Sequence, residues 1–369
     1  MTFLLLAVGL VLLVAGAEIL VRGASRLAVG IGISPVIVGL TIVAFGTSSP
    51  ELAVSLQAAF GGDTDLTVGN VVGSNIFNVL LILGVSAVII PLTVAQRLIR
   101  IDVPIMVGTA VLLLVFSLNN QLDRWEGVIL ALGLAAYIGF AVYETRRDRH
   151  KTDPEFVDQE YEAEFGTGDT GGAKVVRDLA MIVGGLGLLL LGSRLLVDSA
   201  TDIAVDLGLS DLIIGLTIVA AGTSLPEVAT STVAALKGER DIAVGNVVGS
   251  NIFNILAVLG LSSILAPSVI GVSEAAVNFD IPVMTAVAIA CLPVLSTGRI
   301  VRWQGVLFLC YYVAYVAYLI LDASEHDAVG AYSAVMLFFV LPISGTALIA
   351  TFLWEMRKRF VGGRSSASA

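Results

Sequence analysis

The chain repeats itself at an offset of 176 residues, and the repeated unit contains an odd number of apolar runs. Residues 34–56 read SPVIVGLTIVAFGTSSPELAVSL, and residues 210–232 read SDLIIGLTIVAAGTSLPEVATST. Residues 68–78 and 244–254 both read VGNVVGSNIFN, identical over eleven residues. The offset holds without a gap from Gly16/Gly192 to Asn78/Asn254. It becomes 178 at Asp102/Asp280 and at Arg124-Trp125/Arg302-Trp303, a two-residue insertion in one loop. Identity of this extent is a duplication, and it has to be read before any single element.

Apolar residues make up 57% of the chain, charged residues 14%, and the mean hydropathy is +0.96. A soluble domain carries about 25% charge. A chain with so little polar surface needs lipid around it. Runs long enough to cross the hydrocarbon, about 20 residues each, occur at 2–21, 34–60, 66–90, 101–117, 125–144, 176–197, 210–236, 241–266, 279–296, 303–321 and 332–354. The first has no basic residue ahead of it and no cleavage site after it, so it reads as a span rather than a signal peptide.

Each copy holds five runs, and an odd number forces the second copy into the membrane upside down. The predicted fold is an all-α integral membrane protein. It is a ten-helix inverted-topology 5+5 repeat with broken helices, plus one extra C-terminal transmembrane helix. The divisions are 1–145 for the first repeat, 146–175 for an acidic cytoplasmic linker, 176–321 for the second repeat, and 322–369 for the extra helix and a basic tail. With the N-terminus outside, 18 of the 20 Lys and Arg residues fall on the cytoplasmic side, leaving Arg124 and Arg194. That bias predicts a multi-pass protein of the cell membrane with a cytoplasmic C-terminus.

Composition removes several functions. Cys291 and Cys310 lie in apolar runs and cannot form a disulfide scaffold or a thiolate metal site. His150 and His326 lie in polar loops, which disfavours His-based zinc or haem sites. The net charge of -10 disfavours nucleic acid as a partner. The segment from Arg146 to Lys174 runs from RRDRHK through PEFVDQEYEAEF to GTGDTGG and reads as a cytoplasmic linker too short for a folded sensor.

The chemistry lies in the middle of the repeats. Gly46-Thr47-Ser48-Ser49-Pro50-Glu51 and Gly222-Thr223-Ser224-Leu225-Pro226-Glu227 each interrupt an apolar helix. Proline lacks an N–H and clashes with the carbonyl four residues back. The motif predicts a break that frees carbonyls from Ala44 to Thr47 and from Ala220 to Thr223. Such carbonyls survive in a membrane only where they are buried or line a cavity. Each break carries a glutamate, and no basic residue of the spans is placed to pair it, so a bound cation is the remaining partner. Ser48 and Glu51 share a helix face, as do Ser224 and Glu227; so do Ser74 and Asn78, and Ser250 and Asn254. This set of oxygens, with no sulfur or imidazole, suits calcium, sodium or magnesium, and best a calcium ion with its 6–8 ligands. Any one of these residues alone would read as a kink or a packing contact; their symmetric recurrence points to a site. Asn70 and Asn246 read equally as cation ligands or as caps of a break near Gly69 and Gly245. Glu18–Arg22 and Arg194–Asp198 read as i,i+4 pairs, and Asp102 and Asp280 as N-caps ahead of a first-turn proline.

The paired GTSSPE…GNVVGSNIFN and GTSLPE…GNVVGSNIFN resemble the two alpha-repeats of the calcium/cation antiporter superfamily, and most of all its prokaryotic sodium/calcium exchangers. The resemblance covers residues 1–321. It implies two inverted five-helix halves whose broken second and third helices build a cluster of cation sites. By position it implies Glu51, Glu227 and the carbonyls of Thr47 and Thr223 as calcium ligands. Sodium would use the carbonyls of Ala44 and Ala220 together with Thr47, Thr223, Ser48, Ser224, Ser74, Ser250 and both glutamates, with Asn78 in the middle. The departure is Asn254, where such exchangers usually carry Asp. The site then has one fewer potential charge, which leaves the counter-ion and its stoichiometry open.

The reading is a secondary active antiporter, not an enzyme, exchanging Ca2+ for Na+ by alternating access at a midplane carboxylate site. Movement of the first and sixth spans past the cluster would provide the access. No cofactor is expected beyond the transported ions, and the partners are Ca2+, Na+ and the bilayer, with the chain acting as a monomer. Desolvated carboxylates can carry protons, so H+/Ca2+ exchange is the alternative. A passive cation channel fits less well, because channels usually line a pore with oligomeric rings. An intramembrane enzyme lacks any HExxH motif, Ser/His pair or Asp dyad.

Overall fold

The computed structural model describes residues 2–31, 34–148, 172–206, 220–324, 326, 328–347 and 350–351. Most of the predicted linker, the basic tail and the first ten residues of the seventh run lie outside the described residues. The described chain is almost entirely helical. The first repeat comprises α1 (Thr2–Ile31), α2 (Pro35–Thr47), α3 (Ser49–Gly61), α4 (Thr64–Ile89), α5 (Leu98–Asn119) and α6 (Arg124–Asp148). The second comprises α7 (Gly172–Asp206), α8 (Ala220–Gly222), α9 (Leu225–Leu236), α10 (Arg240–Leu265), α11 (Ala276–Leu295) and α12 (Arg302–Ala323). Helix α13 (Val329–Ala347) follows. Among the described residues nine helices are long and apolar enough to cross a membrane, and the bent pair α2–α3 makes a tenth span.

The inversion is visible in how equivalent helices meet. Helices α1 and α7 lie against each other along much of their length. A Cβ built on Gly9 would sit 2.9 Å from the Gly192 carbonyl oxygen, one on Gly16 2.8 Å from that of Gly185, and one on Gly23 3.0 Å from that of Asp178. Contacts rise along one helix as they fall along the other, so these two copies of one element run antiparallel. Glycines seven apart on both helices let the backbones touch, the small-residue packing that membrane helices favour. Both helices exceed their predicted apolar cores. The 30 residues of α1 span about 45 Å at 1.5 Å per residue. Arg22, just past the predicted run, pairs with Glu18 one turn earlier on the helix surface.

Four two-residue strands supplement the all-helical expectation: β1 (Leu92–Thr93), β2 (Gln121–Leu122), β3 (Ile270–Gly271) and β4 (Arg299–Ile300). Strand β1 pairs with β4, and β2 with β3, both antiparallel. By the 178 offset β3 is the copy of β1 and β4 the copy of β2, so each ribbon joins loops that are not equivalents. This is the pattern that a two-fold axis relating the two copies produces.

Helices α4 and α10 form the centre, and the apolar stretch of α10 is wholly buried. The halves interlock around them. Helix α6 of the first copy packs on the C-terminal half of α10, and α12 of the second copy on that of α4. Glycines again set the spacing: a Cβ on Gly127 would lie 2.9 Å from the Gly260 carbonyl oxygen, and one on Gly305 2.7 Å from that of Gly84. Exposed apolar side chains such as Leu132 on α6 and Val313 on α12 cover the outside, as lipid contact requires. Helix α13 packs on α12 and is mostly exposed.

Two expectations are corrected. The third span of each half is not broken. Helix α4 runs through Gly69 and Gly73, and α10 through Gly245 and Gly249, with a widened π-helical stretch at Asn78–Leu83 and at Asn254–Leu259. No proline interrupts these spans, and in α10 the glycines serve close packing: a Cβ on Gly249 would fall 2.7 Å from the Leu40 carbonyl oxygen. Asp102 and Asp280 are not N-caps either. Both are helical in backbone and make no capping bond, because the preceding residues already wind into the helix. Asp102 instead takes the Arg97 guanidinium at 3.3 Å and the Tyr137 hydroxyl at 3.1 Å, and Asp280 takes the Tyr315 hydroxyl at 2.9 Å.

Candidate cation site

The predicted break is present in the first copy. Helices α2 and α3 meet at Ser48 with a bend of 43°. In the second copy the described residues show the same irregular backbone at Ser224, between α8 and α9. Within the stretch predicted to lose its helical partners, the carbonyl of Ala44 keeps one: it accepts from Ser48 N–H at 3.0 Å, with the Thr47 hydroxyl 3.4 Å away. The carbonyls deprived by proline are those four residues earlier, Gly46 and Gly222. Gly222 accepts a bond from the Ser193 hydroxyl at 2.7 Å, so α7 seals that end of the break. Ala220 opens α8, and its side chain lies outside the described ones.

The breaks bring the two glutamates into one fully buried centre. Glu51 and Glu227 both have no exposed surface, and each carboxylate is reached by the serine three residues before the other glutamate. Each is held by the opposite half. The Ser224 hydroxyl donates to Glu51 at 2.9 Å, and the Ser48 hydroxyl donates to Glu227 at 3.2 Å. Thr223 lies close to Glu51, and Thr47 to Glu227. The Ser74 hydroxyl stands 3.1 Å from that of Ser224. Among the described residues neither glutamate has a basic partner; the ion pairs found involve Glu18, Asp102, Glu144 and Asp178 instead.

Asparagines complete the floor. The Asn78 amide donates to Asn251 Oδ1 at 3.1 Å, and the Asn254 amide donates to Asn75 Oδ1 at 3.1 Å. Asn70 and Asn246 do not cap a break. Their amides donate to Ser55 and Ser231, at 2.9 and 3.0 Å. Their carbonyl oxygens accept from Thr223 and Thr47 of the other half, at 3.4 and 3.1 Å. These side chains tie the halves together and leave their oxygens occupied.

Among the described residues, five buried polar atoms of the candidate ligands have no hydrogen-bond partner: Glu51 Oε2, Glu227 Oε2, Asn78 Oδ1, Asn254 Oδ1 and Ser250 Oγ. A buried carboxylate without compensation costs several kcal/mol, and each orphaned neutral acceptor about 1–3 kcal/mol. Two negative charges surrounded by unpaired oxygens fit a hard cation. Nine of the twelve residues singled out from the sequence make side-chain hydrogen bonds between the two halves: Glu51, Glu227, Ser48, Ser224, Ser74, Thr47, Thr223, Asn78 and Asn254. Sequence reading passed over Asn75 and Asn251. Their signal was present: each sits three residues before Asn78 or Asn254, on the same helix face.

The chain is similar to known proteins over most of its length. The family model described as sodium/calcium exchanger protein matches residues 1–143 and 178–321. CaxA of Alkalimonas amylolytica is 43% identical over 279 residues, covering 74% of this chain and 85% of its own. The sodium/calcium exchanger MaX1 of Methanosarcina acetivorans is 36% identical over 309 residues, covering 76% of this chain and 87% of its own. A solved structure of the sodium-calcium exchanger NCX_Mj superposes with a TM-score of 0.73 at 30% identity, covering 86% of this chain and 98% of that one.

Proposed function

The chain belongs to the sodium/calcium exchanger family, as a multi-pass membrane transporter and not an enzyme, and on that premise we propose that it exchanges Ca2+ for Na+ at the Glu51–Glu227 centre. The observation that carries this is the pair of buried carboxylates, each bonded on one oxygen by a serine of the opposite half and bare on the other. Two carboxylates neutralise one Ca2+. Na+ ions bound to the same oxygens cannot share the site with it, so occupancy by one expels the other. With no cation, two unpaired charges would have to cross the hydrocarbon, which disfavours leak and enforces exchange.

The ligand set is Glu51, Glu227, Ser48, Ser224, Ser74, Ser250, Asn78 and Asn254, with Thr47, Thr223 and the backbone of Ala44 and Ala220 around them. Access alternates as the α1–α7 pair moves across the breaks. Unequal packing of the two halves supports this. Helix α1 lies along α9, whereas its equivalent α7 makes no comparable contact with α3. With the N-terminus outside, α9 lies on the cytoplasmic side of the site and α3 on the outer side.

The test is calcium-45 uptake into proteoliposomes driven by an imposed sodium gradient. Glu51→Gln and Glu227→Gln are each expected to abolish it, and full exchange in either overturns the reading. One observation favours a second counter-ion: both middle side chains, Asn78 and Asn254, are neutral amides, so the site holds two acidic groups and not three. Sodium and pH gradients imposed separately distinguish Na+/Ca2+ from H+/Ca2+ exchange.

A further inference from the structure

We propose that Asn75 and Asn251 are positioning residues that fix which end of the Asn254 and Asn78 amides faces the cations, an inference that rests on the cation site described above. An asparagine side chain presents either two donors or one acceptor depending on its rotation. A cation site needs the acceptor. Among the described residues, the hydrogen bond that each of these two amides makes comes from the opposite half.

The choice is made across the two-fold axis. Asn75 Oδ1 accepts from Asn254 Nδ2, and Asn251 Oδ1 accepts from Asn78 Nδ2, both at 3.1 Å. With its N–H engaged, each amide leaves Oδ1 buried and without a protein partner. The clamps are themselves oriented. Asn75 Nδ2 lies 3.4 Å from the Asn251 carbonyl and 3.5 Å from Met284 Sδ, and Asn251 Nδ2 lies 3.6 Å from Met106 Sδ. A thioether has no N–H or O–H to give and accepts only weakly, so it suits the amide NH2 of the clamp and turns the clamp's oxygen toward its partner. Met106 and Met284 are equivalents under the 178 offset, so both copies are built the same way. All four asparagines are buried.

The arrangement explains why the middle of this site tolerates amides on both sides. An amide at position 254 donates to Asn75 Oδ1; a carboxylate there would set two oxygens against each other. The identity of residue 254 is therefore coupled to the orientation of Asn75.

A double-mutant cycle read by calcium-45 binding to the purified full-length protein tests this. Asn75→Leu is expected to weaken Ca2+ binding about tenfold, the effect of losing one buried orienting bond. In proteoliposomes it raises the half-saturating Ca2+ concentration while the rate at saturation stays within about twofold. Asn75→Ser removes the acceptor without placing an apolar group among amides and is expected to give the same loss. In an Asn254→Ala background either substitution adds less than about twofold, because there is no amide left to orient. Asn251→Leu behaves likewise against Asn78→Ala. Unchanged affinity in the single variants, or a full loss that persists in the alanine background, overturns the proposal even where the wild type binds Ca2+. Absence of Ca2+ binding by the wild type instead overturns the exchange reading itself.

Discussion

The hydroxyl of Ser224 donates to the carboxylate of Glu51 at 2.9 Å, although the two residues belong to opposite copies of the duplication. The reciprocal bond, Ser48 to Glu227, is 3.2 Å long, and Ser224 has the further support of Ser74. A hydrogen bond to a charged group contributes about 1.5–3 kcal/mol. Ser224→Ala is therefore expected to weaken Ca2+ binding by at least about tenfold, and Ser48→Ala by less. Calorimetric titration of the purified variants with Ca2+ measures the order. A larger effect at Ser48 would contradict the geometry.

The two halves differ in how they hold equivalent aspartates. Asp102 is fully buried beside Arg97, which also reaches Glu144 at 2.6 Å. By the 178 offset, Ala275 stands where Arg97 would be, and among the described residues Asp280 is held by the Tyr315 hydroxyl in place of a guanidinium. Removing one partner of a buried pair leaves uncompensated charge and costs roughly 3–5 kcal/mol. Arg97→Met is expected to lower the melting temperature strongly. Asp280→Asn keeps an acceptor for Tyr315 and is expected to shift it little. Thermal unfolding in detergent, followed by tryptophan fluorescence, compares them.

Much of this was legible because the duplication multiplies every weak signal by two. A proline in one membrane helix is a kink; the same Gly-Thr-Ser-x-Pro-Glu at Glu51 and Glu227 is a site. What the sequence did not yield depended on contacts across the two-fold axis. Asn75 and Asn251 look like spares beside Asn78 and Asn254 until α4 and α10 are crossed. Gly69 and Gly245 look like helix breakers, and at Gly245 the missing Cβ serves contact with the Val36 carbonyl instead. Asp102 satisfies every local rule for a cap, but Tyr137, 35 residues away, claims its side chain.

Lys237, just beyond α9, bonds Glu18 of α1 at 3.1 Å, and Glu18 also pairs with Arg22. Movement of α1 away from α9 breaks the Lys237 bond. The pair is partly exposed, and such pairs contribute about 0.2–1 kcal/mol. Lys237→Met is expected to leave the melting temperature nearly unchanged. It should raise the Ca2+/Ca2+ self-exchange rate by up to about fivefold, the kinetic equivalent of 1 kcal/mol. High choline chloride should produce the same increase in the wild type by screening. An unchanged rate in a well-folded variant argues against α1 leaving α9 during the cycle.

Glycines let the backbones of α1 and α7 lie close together, and this sets a sharp expectation for that pair. A Cβ on Gly192 would meet the Leu13 amide nitrogen at 2.7 Å and the Gly9 carbonyl oxygen at 2.8 Å. Both are backbone atoms, so the strain cannot be relieved by turning a side chain. The helices must separate, and overpacking of this kind costs about 1–3 kcal/mol. Gly61 is the control: a Cβ there meets nothing within 4 Å. Gly192→Val is expected to lower both the melting temperature and the exchange rate, and Gly61→Ala neither. The separation displaces α7 from the break it covers, where Ser193 holds the Gly222 carbonyl. Ca2+ affinity should therefore fall as well, by more than Ser193→Ala alone produces. Equal affinity in Gly192→Val and wild type would show that α7 does not bear on the site through that contact.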